Sequence, residues 1–283
     1  MPQIDITDEQ LETLADNTVN KGLTVPGVQK KLSLHLSKGL DSRLTVVNYP
    51  TGYILKPQTE LYDSLPEFED VAMRMAKLTG IKVVPHALLK MNYKYAYITK
   101  RIDRNIEKEH VTMYAMEDFC QLSNRLTQDK YKGSYEACAR IIKRYSSYSG
   151  FDLTELFLRL VFSFIIGNSD MHLKNFSLIE RDSAGRNFSL SPAYDMLPVN
   201  IVVPEDEEEF ALTLNGKKRN IRRKDFLEFA EGCGITKKTA VGMMTKLCSY
   251  KEKFLALCEE SYLSAEQKLQ FQIFIEDRIK RIS

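Results

Sequence analysis

The hydrophobic period changes once along this chain, and that change limits the possible fold more than any other feature. Leu32, Leu34 and Leu36 alternate with Ser33, His35 and Ser37, the two-residue period of a half-buried strand. Lys38-Gly39 turns the chain into Leu44–Val47, Asn48–Gly52 turns it again, and Tyr53–Lys56 makes a third strand stopped by Pro57. A helix is predicted from Leu65 to Leu78, with Pro66 in its first turn, Glu67, Glu69 and Asp70 at its positive end, and Gly80 as its stop. Val71, Met75 and Leu78 fall on one face of it. Strands at His86–Met91 and Tyr95–Thr99 complete the order β-β-β-α-β-β. Beyond residue 99 the period is helical. Met116–Ser123, Tyr135–Tyr145 and Thr154–Ile166 read as helices, the last apolar nearly all round, as a central buried helix should be. A loop-rich stretch over 167–225 leads to helices at Lys224–Glu231, Lys237–Tyr250 and Ser264–Ile282, the last opening on the capping box S-A-E-Q. Another such box, T-D-E-Q at Thr7–Gln10, predicts a brief helix to about Asn17.

Composition excludes several classes. Forty basic against 38 acidic side chains leave a net charge of +2, too balanced for a protein that binds nucleic acid by bulk charge. The most apolar run, Leu160–Ile166, is short and follows Arg159, so no membrane span is expected. Residues 1–10 are acidic and lack an apolar core, so no secretory signal is expected. The five cysteines are scattered with no C-x-x-C, and the four histidines form no H-E-x-x-H. Neither disulfides nor structural zinc is expected, and a cytoplasmic, reducing location follows. The acidic run Glu205–Glu209 and the basic stretch Lys217–Lys224 read as solvated loops.

The residues that carry chemistry are concentrated in N-S-D-M-H-L-K-N, 168–175, directly after the buried helix and its terminating Gly167. Asp170 and Asn175 stand five apart, the Asp-to-Asn spacing of the protein-kinase catalytic loop. Such an aspartate accepts or orients the proton of an attacking hydroxyl, and the asparagine offers a neutral oxygen to a magnesium ion. Lys174 between them is placed to neutralise a transferring phosphate, and His172 is grouped with the nucleotide site through an expected contact with the loop backbone. Asp195, in S-P-A-Y-D-M-L-P, is the second carboxylate the metal needs. A hairpin of Phe176–Ile179 and Asn187–Leu190 would return it to the site. Lys56 at the end of the third strand is expected at the ATP phosphates, paired with Glu69 thirteen residues on. The turn Thr24–Lys31, with Val28 and Gln29, precedes the first strand where a nucleotide-covering loop belongs. It has one glycine and is not a G-x-G-x-x-G loop. Each element alone has a plain structural explanation; their shared order is what favours the chemistry.

The chain resembles the HipA family of bacterial toxin serine/threonine kinases. The carrying motifs are G-V-Q-K-K-L (27–32), Y-I-L-K-P (53–57), N-S-D-M-H-L-K-N-F-S (168–177) and S-P-A-Y-D-M-L-P (191–198), over about residues 20–280. The resemblance implies an α+β, two-lobed kinase-like fold: a lead-in over 1–20, a small β-rich N-lobe with one helix and the hinge over 21–103, and a helical C-lobe over 104–283. It implies ATP and Mg²⁺, with Asp170 catalytic, Asn175 and Asp195 on the metal, Lys56 at the phosphates, and the hinge from Lys100 to Ile102 at the adenine. Longer HipA chains carry an extra N-terminal subdomain for which this chain has no room, so it looks closer to the short toxin HipT. HipA and HipT are autophosphorylated on phosphate-loop serines. Here that stretch is T-V-P-G, with Thr24 at the first hydroxyl position and Pro26 where HipT has a second serine. Family targets are aminoacyl-tRNA synthetases and the family partner is a HipB-type antitoxin, so DNA contact would come through that partner. A host-directed effector role is a further possibility. Competing readings are a small-molecule phosphotransferase of the aminoglycoside- or choline-kinase type and a catalytically silent binding module.

Overall fold

The computed structural model describes residues 31–37, 43–45, 51–107, 110–181 and 186–283. The helix expected after Thr7, the stretch 24–30 with Thr24, Val28 and Gln29, and the turn at 38–39 lie outside the described residues. The chain forms two compact units. One comprises the described residues through Asp70 together with Val84–Met113; the other comprises Val71–Val83 and Tyr114–Ser283.

The first unit is built on a five-stranded antiparallel sheet. Its strands are β1 (Leu32–Ser37), β2 (Arg43–Thr45), β3 (Tyr53–Pro57), β4 (His86–Met91) and β5 (Lys94–Lys100), in the order β2-β1-β3-β5-β4. Strand alternation sends Leu32, Leu34, Leu55, Leu89, Met91, Ala96 and Ile98 into one core. Register places Lys56 opposite Tyr97. Asn92 turns β4 into β5 with φ of 51°, a conformation asparagine tolerates better than most residues. A second hairpin, β6 (Arg104–Glu107) with β7 (His110–Met113), is absent from the sequence reading; each strand has only four residues, and Ile106 is the one apolar residue of the first. The helix α1 (Leu65–Thr79) buries Phe68, Val71, Ala72 and Met75 but leaves Leu78 exposed, contrary to the face expected from its spacing.

The second unit is organised by α4 (Ser149–Ile166), which starts five residues before the predicted position. It is buried along nearly its whole length, Arg159 included. The Arg159 guanidinium reaches Glu155 one turn back, at 2.9 Å, and the Ser191 carbonyl oxygen, at 2.7 Å, while its Nη1 is buried with no hydrogen-bond partner among the described residues. A buried charge is tolerable only with such partners. Met116–Ser123 is not one helix. Met116–Asp118 is strand β8, which pairs with β9 (Ser177–Glu180), and only α2 (Phe119–Leu122) is helical. The break falls at Asp118, whose carboxylate caps α2 by accepting from Gln121 N–H at 2.8 Å. The expected hairpin forms: β10 (Phe188–Leu190) pairs antiparallel with β9. Asp152 at the start of α4 accepts from Leu190 N–H at 2.7 Å and anchors β10.

Around α4 lie α3 (Tyr135–Tyr145), α6 (Arg223–Cys233), α7 (Lys237–Cys248), α8 (Lys251–Glu259) and α9 (Ala265–Ile282), with a short α5 (Val199–Val202) in the loop region. The Ser264 capping box is present at α9. The acidic and basic runs are not simply solvated, because they face one another. Glu208 pairs with Lys218 at 3.0 Å and Glu207 with Arg219 at 2.5 Å, while Glu209 is buried against Arg278 and Arg281. Burial alone would raise the Glu209 pKa, but Arg281, the Ile221 N–H and Arg278 bring it below the ordinary carboxylate value. All five cysteines are free. No helix among the described residues is long and apolar enough to cross a membrane.

Candidate active site

Helix α4 must stop abruptly for the motif that follows it to form. Gly167 ends it with φ of 74°, and a Cβ there would lie 2.7 Å from the Phe274 ring of α9. Both the left-handed backbone and the close ring require glycine. The loop beyond is held from below by backbone contacts. Met171 and Leu173 are buried, the Tyr135 hydroxyl donates to Met171 O at 3.0 Å, and Leu173 N donates to Lys130 O at 3.1 Å. The chain then makes a 3₁₀ turn over Leu173–Asn175.

Asn175 is buried, and its Oδ1 accepts from His172 N–H at 3.0 Å while its Nδ2 donates to Asp195 Oδ2 at 3.3 Å. The sequence separation of twenty residues is closed by the β9–β10 hairpin. Ala193 N–H donating to Lys82 O at 2.7 Å and the Tyr194 hydroxyl donating to Lys174 O at 3.1 Å then seat the segment. Asp195 itself has φ of 59°, an uncommon conformation of the kind that clusters at functional sites. Asp170, with its side chain 46% exposed, lies at the open side of the loop. Its Oδ1 accepts from the Tyr131 hydroxyl at 2.8 Å, and its Oδ2 is 4.0 Å from His172 Nε2. Lys174 is engaged elsewhere: its Nζ sits 2.5 Å from Asp118 Oδ2. A role at a transferring phosphate requires that ion pair to open.

Two residues of this neighbourhood had no signal in the sequence. Tyr131 stands 39 residues before Asp170. Asp206 belongs to the acidic run and accepts from Ser169 Oγ at 3.0 Å. Burial, then Asp170, Asp206 and Asp195, hold the Tyr131 phenol well above its ordinary pKa, so it is a hydrogen-bond donor at any physiological pH. Magnesium takes hard oxygen ligands, commonly one or two protein carboxylates together with phosphates and water. Asp195 supplies a carboxylate. Asn175 supplies an amide oxygen that keeps a lone pair after accepting from His172. The donor chemistry therefore fits that ion.

The other candidate residues lie in the first unit. Lys56 Nζ is 2.6 Å from Glu69 Oε1, with both side chains buried, and the ammonium stands 5.4 Å over the Tyr97 ring. At the expected hinge, Lys100 N donates to Pro85 O and Arg101 N to Gly52 O, so the segment from Lys100 to Ile102 is held by backbone on both sides. Asp103 follows, gripped by Arg101 and Arg104. Burial pushes its pKa up, but the two guanidinium groups prevail and hold it at about 2.

The profile of the family described as HipA-like C-terminal domain matches residues 23–253. Among curated proteins, one of Haemophilus influenzae named as a candidate kinase is 25% identical over 268 residues, covering 86% of this chain and 77% of that protein. A Sinorhizobium fredii protein, the candidate kinase Y4dM, is 34% identical over 212 residues, covering 69% of this chain and 49% of its own length. Among solved structures, HipA of Shewanella oneidensis, from a complex with HipB and operator DNA, superposes with a TM-score of 0.75 at 17% identity over 95% of this chain and 70% of that one. The proinflammatory kinase CtkA of Helicobacter pylori superposes with a TM-score of 0.62 at 17% identity over 89% and 93%. The fold is thus the kinase-like α+β fold of these proteins.

Proposed function

The chain belongs to the family of HipA-like C-terminal domains, and from that premise we propose that it is an ATP- and Mg²⁺-dependent serine/threonine protein kinase of the HipA/HipT toxin type. The observation that carries the reading is the contact between Asn175 and Asp195 across twenty residues, beside an accessible Asp170 on the same loop. In this reading residues 21–103 and 104–283 are the two kinase lobes. Mg·ATP, when bound, supplies the transferable phosphoryl group and the charge that offsets it. Asp170 orients the acceptor hydroxyl and receives its proton. Asn175 and Asp195 hold the metal. Lys56, steadied by Glu69, meets the phosphates, the segment from Lys100 to Ile102 receives the adenine, and Val28 and Gln29 cover the nucleotide.

The proposed acceptor is a protein of the translation machinery such as an aminoacyl-tRNA synthetase, and the proposed partner is a HipB-type antitoxin, as the composition of the Shewanella complex suggests by analogy. Self-phosphorylation at Thr24 is the proposed brake. Incubation with labelled ATP and Mg²⁺ in a cell lysate, followed by mapping of the labelled peptides, tests this. Label is expected on a lysate protein and on Thr24; label on neither would refute the proposal. One observation favours a second reading. Asp206 adds a carboxylate beside Asp170, which suits a small cationic acceptor, and label in a small molecule rather than a protein would select it.

Asp195→Ala is expected to weaken Mg²⁺-dependent ATP binding by at least about tenfold, because one of two protein ligands is lost. Calorimetry with and without Mg²⁺ reads this directly. An affinity unchanged in the presence of Mg²⁺ would remove Asp195 from the metal.

A further inference from the structure

We infer that Tyr131 holds the acceptor position on Asp170 against water, so that its hydroxyl must be displaced before a phosphoryl group can be transferred. The inference rests on the reading of Asp170 as the group that receives the acceptor's proton.

The contact itself is the first ground. A phosphoryl acceptor must donate its O–H to the catalytic carboxylate, and Tyr131 makes that bond already, at 2.8 Å to Asp170 Oδ1. Asp206 and Asp195 lie near enough to act on the same phenol. A hydroxyl among these carboxylates stays protonated and donates, as an alcohol acceptor would.

The second ground is how Tyr131 is mounted. Its ring stands edge-on to His172, with centroids 5.2 Å apart, and the Lys130 ammonium lies 4.8 Å from its centre. The neighbouring Lys130 carbonyl accepts from Leu173 N at 3.1 Å, tying this segment to the catalytic loop. Yet the residue is 42% exposed, so the side chain can swing to solvent without opening the core. The backbone is fixed to the loop while the hydroxyl is free to leave.

Displacement selects among acceptors. A protein acceptor makes many contacts away from the reacting atom, and that binding energy can offset the loss of the Tyr131 bond. Water brings none. In hydrolysis, a water oxygen bonds to the γ-phosphorus, the bond to the bridging oxygen breaks with its electron pair left on ADP, and the water proton passes through Asp170 to solvent. Tyr131 stands where that water would donate.

Tyr131→Phe deletes the hydroxyl and keeps the ring on His172. Release of inorganic phosphate from Mg·ATP without any protein acceptor is expected to rise roughly tenfold, the equivalent of one hydrogen bond to a charged group. The calorimetric affinity for Mg·ATP and the melting temperature are expected to stay as in the unmodified protein. The rise is expected to vanish in the double variant carrying Asp170→Asn. Phosphate release that is unchanged, lower, or at buffer background in both proteins overturns the inference. If Asp170→Asn alone leaves transfer intact, the reading of Asp170 fails first; an inactive Asp170→Asn with a flat Tyr131→Phe overturns only the role of Tyr131.

Discussion

Replacing Asp170 by asparagine is expected to lower phosphoryl transfer by about 10²- to 10⁴-fold, the range associated with one general acid–base group. The change keeps side-chain shape and removes one charge and the ability to take a proton. The Tyr131 hydroxyl can still donate to the new amide oxygen, so its contact survives. The side chain is nearly half exposed in a loop held by other residues, so the melting temperature should move by no more than a degree or two. Labelled-phosphate transfer and a thermal scan on the same preparation check both halves. Transfer near the unmodified rate would show that Asp170 does not receive the acceptor's proton.

Glu69→Ala is expected to destabilise the protein by roughly 3–5 kcal/mol, since it removes the carboxylate from a buried ammonium. Lys56 and Glu69 are 3% and 2% exposed and 2.6 Å apart. Removing one partner leaves the desolvation cost of the other in place, whereas removing both does not. The double variant Lys56→Met, Glu69→Leu should therefore recover most of the lost stability while remaining inactive. Denaturant titration of the two variants tests the argument. Equal stability of Glu69→Ala and the unmodified chain would mean that the pair carries little of the fold.

Much of this was legible in the sequence. The alternation at Leu32 and Leu34 and the all-round apolar run ending at Ile166 both reflect burial, and burial imposes its period locally. The five-residue spacing of Asp170 and Asn175 is local as well. Partners brought in by the chain's tertiary path leave no such trace. Tyr131 touches Asp170 only because Lys130 O binds the loop at Leu173. Asp206 looked like one member of a solvated run until Ser169 donated to it and its neighbours met the basic stretch opposite. The strands of the β6–β7 hairpin and strand β8 have only three or four residues each, too few for a period to stand out. At Leu78 the helical period was right, but among the described residues the last turn of α1 leaves that position exposed.

The contact between Gly167 and Phe274 has a consequence for synthesis. The loop that carries Asp170 emerges from the ribosome about a hundred residues before Phe274 closes against its first residue. At roughly 5–20 residues per second, this interval is on the order of 5–20 s. For that time the nascent chain holds the segment 168–175 without the helix that walls its starting point.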